Sequence, residues 1–257
     1  MELPTNHFKR RLLAGEPQIG LWVGLVDPAA VEIVAGAGFD WLVIDGEHAP
    51  NDLRSVLVQL QVIAAYPSTS AIVRPVIGDI NLIKQYCDVG AQTLIVPMVE
   101  TGEQAARMAA AVRYPPHGIR GLGTGLARAA RWNGIEGYVT RANGEMCLLV
   151  QVETVRGMDH LDEIVRTGGV DGVFIGPADL AASMGLIGQP DHSSVREAVG
   201  AAIERIRAAG KGAGVLAPPA LAQEYLARGA SFVAIGTDTM LLANAARQLA
   251  ASFPAVR

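Results

Sequence analysis

Cysteine is scarce in this 257-residue chain. There are two, Cys87 and Cys147, and neither has a CxxC or Cys/His spacing around it. That excludes a disulfide scaffold or a cysteine-rich zinc site as the basis of the fold. Aromatic residues make up 5%, and 21 basic side chains stand against 25 acidic ones, a formal charge of −4. A nucleic-acid binder normally shows a basic excess or stripe, and none is present. No apolar run approaches the ~18 residues that span a bilayer. Lys9, Arg10 and Arg11 near the N-terminus are not followed by an uninterrupted apolar stretch. That argues against a secretory signal and for a cytoplasmic location. Disorder is excluded too, because half of the residues are hydrophobic.

What the chain has in quantity is glycine, 29 residues spread along its length. Between them, eight short apolar runs recur: Gln18–Val23, Trp41–Ile44, Ala71–Arg74, Thr93–Val96, Met146–Val152, Gly172–Ile175, Lys211–Val215 and Phe232–Ile235. They are continuous in apolar character rather than alternating, as in strands buried on both faces. Helical patterns separate them over Pro28–Ala37, Asp52–Ala65, Ile80–Asp88, Gly102–Val112, Met158–Arg166, Ser194–Ala209, Pro218–Arg228 and Thr237–Ser252. Asp27 before Pro28 is an N-cap signal, and Gly90, Gly210 and Gly229 are stop signals.

Eight strand–helix units of about 30 residues predict a (β/α)8 barrel occupying residues 1–257 as one domain. A doubly wound sheet uses the same units and is the alternative. No GxGxxG follows the first strand. The run Gly121-Leu122-Gly123-Thr124-Gly125 follows no predicted strand and reads as a surface loop. The segment Tyr114–Glu145 breaks the rhythm, as functional or subunit-contact loops do.

Barrel active sites gather at the C-terminal ends of the strands. Asp45-Gly46-Glu47-His48 follows the second strand, and Arg74-Pro75 ends the third. Gln151 and Glu153 lie on or just after the fifth, and Gly176-Pro177-Ala178-Asp179 follows the sixth. Each piece has a structural alternative: a solvated turn, an ion-paired arginine, or Asp179 as a helix cap. Glu153 resists such a reading, because a carboxylate near a core is costly unless paired or bound to a metal. Together the residues suit enolate chemistry. Glu153 and Asp179 are hard oxygen donors for Mg²⁺ or Mn²⁺, and a 2-oxo acid could chelate the ion, which would polarise the keto group. Arg74 could stabilise the developing enolate oxygen. His48 could move the proton, oriented by Asp45 or Asp88. Aldol cleavage and other enolising reactions fit this set equally. Lys84 and Lys211 are the only lysines beyond Lys9, and neither is placed for a Schiff base.

These motifs resemble the HpcH/HpaI family of metal-dependent (class II) pyruvate aldolases. The likeness runs from about Gly20 to Leu249. It is carried by Trp22, Phe39-Asp40-Trp41, Ile44-Asp45-Gly46-Glu47-His48, Val73-Arg74-Pro75, Gly118-Ile119-Arg120-Gly121, Gln151-Val152-Glu153-Thr154 and Gly172 to Leu180. The resemblance implies a barrel of the phosphoenolpyruvate/pyruvate type. It implies a divalent cation (Mg²⁺, Mn²⁺ or Co²⁺) on Glu153 and Asp179, and Arg74 at the keto oxygen. His48 would be acid/base in a dyad with Asp45 or Asp88, with Gln151 near the metal. The Ala178 and Asp179 amides would receive the pyruvate carboxylate, with Trp22 and Leu216 lining the pocket. It implies cleavage of 4-hydroxy-2-oxo acids, such as 4-hydroxy-2-oxoheptanedioate, to pyruvate and an aldehyde. 2-Dehydro-3-deoxyglucarate or hydroxypyruvate chemistry is the near alternative, and malyl- or citramalyl-thioester cleavage a more distant one. A metabolite-binding barrel without catalysis is a third reading. The resemblance also implies a homohexamer, a trimer of dimers exchanging the helix within Thr237–Ser252. Arg120 and Arg128 are candidates to meet an acidic acceptor.

Overall fold

The computed structural model of the chain describes residues 1–253. The last four residues of the expected 1–257 domain lie outside that range. Eight parallel strands close into a barrel: β1 (Gln18–Val23), β2 (Trp41–Asp45), β3 (Ser70–Arg74), β4 (Thr93–Val96), β5 (Cys147–Val152), β6 (Gly172–Ile175), β7 (Gly212–Leu216) and β8 (Phe232–Thr237). Pairing of β8 with β1 seals the sheet and excludes the doubly wound alternative.

Both faces of the sheet are covered, which explains the continuous apolar runs. The outward side chains pack against the helices around Leu42, Ile44, Val73, Leu94, Val150, Val173 and Val215. The inward ones form a separate cluster with Trp22, Trp41, Ile72, Leu149, Phe174 and Phe232. Gly20 leaves room inside for the Trp41 indole, which a Cβ there would overlap.

The helices are α1 (His7–Ala14), α2 (Pro28–Ala35), α3 (Leu53–Ile63), α4 (Ile80–Val89), α5 (Gly102–Ala111), α6 (Tyr138–Glu145), α7 (Val155–Asp159), α8 (Leu161–Arg166), α9 (Pro177–Ser183), α10 (Ser193–Ala208), α11 (Pro219–Ala227) and α12 (Asp238–Ala251). Asp27 caps α2 by accepting from the Ala29 and Ala30 N–H groups at 2.9 and 3.0 Å. Such caps contribute about 0.5–2 kcal/mol. Gly90 closes α4 at φ 112°.

Three helices lie outside the sequence expectation, and one expected helix divides. Helix α1 inserts Phe8 and Leu12 into the N-terminal end of the barrel, where Phe8 meets Trp41 and Phe232 edge-on. Two apolar residues four apart are too short a stripe to announce a helix. Helix α6 lies inside the long 114–145 segment, and α9 is a two-turn helix in the loop after β6. The run expected as Met158–Arg166 breaks at His160 into α7 and α8. Helix α12 packs sparingly on its own barrel. Only Asp238 on it is buried, accepting from the Gly24 and Leu25 N–H groups at 2.9 and 3.1 Å. Among the described residues, no helix is long and apolar enough to cross a membrane.

Candidate active site

The C-terminal strand ends open into a cleft of about 670 Å³. It brings together Trp22, Asp45, His48, Arg74, Gln151, Ala178, Asp179 and Leu216. Strand register does most of the placing. Asp45 and Arg74 are paired positions on β2 and β3, so their side chains leave the sheet side by side. Val152 pairs with Ile175, which sets Glu153 beside Gly176.

Arg74 is the electrostatic centre and is 6% exposed. Its Nε and Nη2 donate to the two Asp45 oxygens at 2.8 and 2.7 Å. Its Nη1 lies 2.8 Å from Glu47 Oε2. The guanidinium also sits over the Trp22 ring, 5.1 Å from its centroid. An arginine has five N–H donors and Asp45 takes two, so three remain for a ligand, with Nη1 in ionic contact with Glu47 rather than hydrogen-bonded to it. Burial alone would raise the Asp45 carboxyl. The hydrogen bonds and charge of Arg74, with the Glu47 and His48 backbone N–H groups, hold it below its ordinary value.

Glu47 is a site residue that motif reading placed in the loop but gave no role. Burial raises its carboxyl, partly opposed by Arg74 and His48. Its only signal in the sequence is its position between Asp45 and His48. Its Oε2 lies 3.9 Å from His48 Nε2, and the imidazole is mostly exposed at the cleft. Asp45 does not orient that ring. It accepts instead from the His48 backbone N–H, at 3.3 Å.

Glu153 lies beneath the cleft, 2% exposed. Its Oε1 accepts from the Met98 N–H at 2.9 Å, and its Oε2 accepts from Gln151 Nε2. Burial raises its carboxyl, opposed by those hydrogen bonds and reinforced by the negative charges of Glu47 and Asp179. Gln151 must turn its NH₂ toward this carboxylate, which leaves its buried Oε1 without a partner. Gly176 makes the arrangement possible, since a Cβ there would overlap the Glu153 carboxylate. Asp179 is the third residue of α9 and does not cap it. Gly176 is the N-cap and offers no side-chain acceptor, leaving the first-turn N–H groups facing the cleft mouth.

Within the chain, three of the expected residues lie away from the cleft. Asp88 lies at the C-terminal end of α4, five residues before β4 begins, and so at the opposite end of the barrel from His48. There it accepts from Arg120 at 2.8 Å. Arg120 is buried in that ion pair and over Tyr114, 4.4 Å from the ring centroid. Arg128 donates to the Val89 carbonyl at 2.9 Å, at the end of α4. Neither arginine reaches the cleft of its own chain. A second cavity of about 360 Å³ at that end is lined by the N-terminal residues, Arg128, Arg131 and Tyr138, and holds no carboxylate.

The family model for HpcH/HpaI aldolase/citrate lyase matches residues 18–245. The chain belongs to this family. A hydroxypyruvate/pyruvate aldolase of Deinococcus radiodurans is 62% identical over 250 residues, covering 97% of this chain and 90% of its own. A 4-hydroxy-2-oxo-heptane-1,7-dioate aldolase of Salmonella arizonae is 58% identical over 251 residues, 97% of this chain and 95% of its own. A solved HpcH/HpaI aldolase/citrate lyase family protein from Burkholderia cenocepacia superposes with a TM-score of 0.93. It is 39% identical and covers 96% of this chain and 99% of its own. This HpcH/HpaI protein is therefore an enzyme, a carbon–carbon lyase of the aldolase type.

Proposed function

We propose that this enzyme is a divalent-metal-dependent aldolase that reversibly cleaves 4-hydroxy-2-oxo acids to pyruvate and an aldehyde. The observation that carries the reading is the proximity of four carboxylates, Asp45, Glu47, Glu153 and Asp179, of which Asp45 and Glu47 are paired with the guanidinium of Arg74. That excess of negative charge suits a divalent cation. Hard oxygen donors suit Mg²⁺, Mn²⁺ or Co²⁺. Among the described residues, no group of three or more His, Cys, Asp or Glu is arranged around one ion position. Glu153 and Asp179 would hold it, with water or substrate oxygens as the remaining ligands, which is the manner in which Mg²⁺ is commonly bound. When bound, the cation supplies Lewis-acid polarisation of the keto group and neutralises developing charge.

The residues of the chain do the rest. The free N–H groups of Arg74 donate to the 2-oxo oxygen and hold it as it gains charge. Ala178 and Asp179 offer backbone N–H groups at the start of α9 to the substrate carboxylate. Trp22 and Leu216 cover the apolar side of the pyruvyl group and exclude water. His48 takes the proton from the C4 hydroxyl during cleavage and returns it during condensation. Glu47 is the carboxylate nearest its ring in the chain. Asp88 can form the expected dyad only from a second subunit.

A hydroxypyruvate nucleophile is the second reading. The unpartnered Gln151 Oε1 favours it, since it could accept from a substrate hydroxyl. We also propose assembly as a homohexamer with α12 exchanged. On α12, Met240, Leu241, Leu242 and Leu249 are each more than half exposed, an apolar face that a second copy would cover. Sedimentation should give a mass near six chains, and a monomer would refute the assembly.

Retro-aldol assays after EDTA treatment, then with Mg²⁺, Mn²⁺ or Co²⁺ restored, test the reaction. Full activity without metal sinks the reading. Glu153→Ala should weaken metal binding without unfolding the barrel. A panel of aldehydes against pyruvate and hydroxypyruvate separates the two nucleophiles.

A further inference from the structure

Met98 lies two residues beyond the end of β4, at φ 55°, a left-handed conformation uncommon for a residue with a Cβ. Its side chain is half exposed, so packing of that side chain does not hold the backbone there. The conformation has one clear geometric consequence. In an extended strand, successive N–H groups point to opposite neighbours. Here two successive N–H groups both serve the β5 side. Met98 donates to Glu153 Oε1 at 2.9 Å, and Val99 donates to the Gln151 carbonyl at 3.0 Å. Had β4 continued without the left-handed residue, only one of the two could face β5.

The other Glu153 oxygen is held by Gln151 Nε2. Both oxygens of a nearly inaccessible carboxylate are thus fixed by donors from the barrel wall, one a side-chain amide and one a backbone amide. Outer donors of this kind set the angle at which a ligating carboxylate presents its remaining lone pairs. We infer that Met98 is a positioning residue: its left-handed backbone aims an N–H at Glu153 and sets that carboxylate for a divalent cation. The inference rests on the metal reading above. It assigns the work to a main-chain conformation, so side-chain identity matters only through the φ it permits.

The test measures Mn²⁺ affinity by electron paramagnetic resonance on the full chain, with thermal melting in EDTA alongside. Met98→Gly keeps both the N–H and the positive φ, and its affinity should stay within about threefold of the parent. Met98→Ile disfavours positive φ and should lose about tenfold or more, the range seen when outer-shell partners are removed. Incorporating the α-hydroxy analogue of methionine at position 98 replaces the N–H by an ester oxygen at the same φ. It should lose affinity as Met98→Ile does, and it decides the matter if Met98→Ile does not fold. An ester variant that binds Mn²⁺ normally, with or without a lower melting temperature, overturns the inference. In that case loss of binding in Glu153→Ala shows that the metal site itself stands. Normal binding in Glu153→Ala overturns the metal reading and this inference with it.

Discussion

Replacing Arg74 separates its two tasks, holding the site together and stabilising charge. In Arg74→Ala, Asp45 loses a bidentate partner at 2.8 and 2.7 Å, and Glu47 loses one at 2.8 Å. Asp45 is 5% exposed and would be left as a buried carboxylate without a counter-charge. Breaking a buried pair from one side costs about 3–5 kcal/mol. For a chain of this size each kcal/mol moves the melting temperature by about 2–4 °C. The melting temperature should therefore fall by roughly 6–20 °C. Loss of a donor to a developing oxyanion lowers the rate by about 10²–10³-fold. Exchange of the pyruvate methyl protons with D₂O, followed by NMR in saturating Mn²⁺-free Mg²⁺, reports enolisation without an acceptor. It should be run well below the lowered melting temperature. Arg74→Lys cannot span both carboxylates, so it should recover part of the stability and little of the exchange. Pairing Arg74→Ala with Asp45→Asn removes the stranded charge, and should restore melting temperature but not rate. Exchange by Arg74→Ala within tenfold of the parent would refute the assignment of Arg74 to the enolate oxygen.

Gly176→Ala places a Cβ against the Glu153 carboxylate and 2.9 Å from Glu153 Cβ. Calorimetry should show Mn²⁺ affinity about 10–100-fold weaker, and unchanged affinity would contradict the close packing. Against the effect of burial, the hydrogen bonds and charge of Arg74 hold the folded Asp45 carboxyl below its ordinary value of about 3.8. Its pairing therefore adds stability above that value and loses it as pH falls toward the folded pKa. Melting of Asp45→Asn against the parent should show a gap that holds from pH 7 to about 4 and narrows below about 3.8; a gap that widens on acidification is the contrary result. Lys84 lies on α4 and Lys211 donates to the Val170 carbonyl at 2.7 Å, at the start of β7. Borohydride with pyruvate should accordingly leave the mass of the protein unchanged.

Much of the architecture was legible because it depends on local pattern. The continuous apolar character of Trp41–Ile44 or Thr93–Val96 marks a strand covered on both faces, and the capping residues Asp27 and Gly90 mark where helices begin and end. The site loops were legible for the same reason, because strand ends in a barrel converge whatever their separation in sequence. Elements with weak local signals were not. Helix α1 is defined by the barrel end that it fills, and α6 by the 114–145 segment in which it packs against Tyr114.

Most polar residues at the rim are legible in the sequence, but their partners are not. Of the two carboxylates the sequence offers to orient His48, Asp45 or Asp88, Asp45 holds Arg74, because the β2–β3 register sets the two side by side. Within one chain Asp88 and Arg120 pair at the other end of the barrel, because α4 runs back down the outside before β4 begins. Sequence alone determined the eight units, their order and the chemical types at the rim, since each is written in residues close together along the chain. Only the tertiary structure decided which carboxylate meets which base and which backbone amide reaches Glu153. Those contacts depend on strand register and on one left-handed residue, and neither leaves a mark in composition or periodicity.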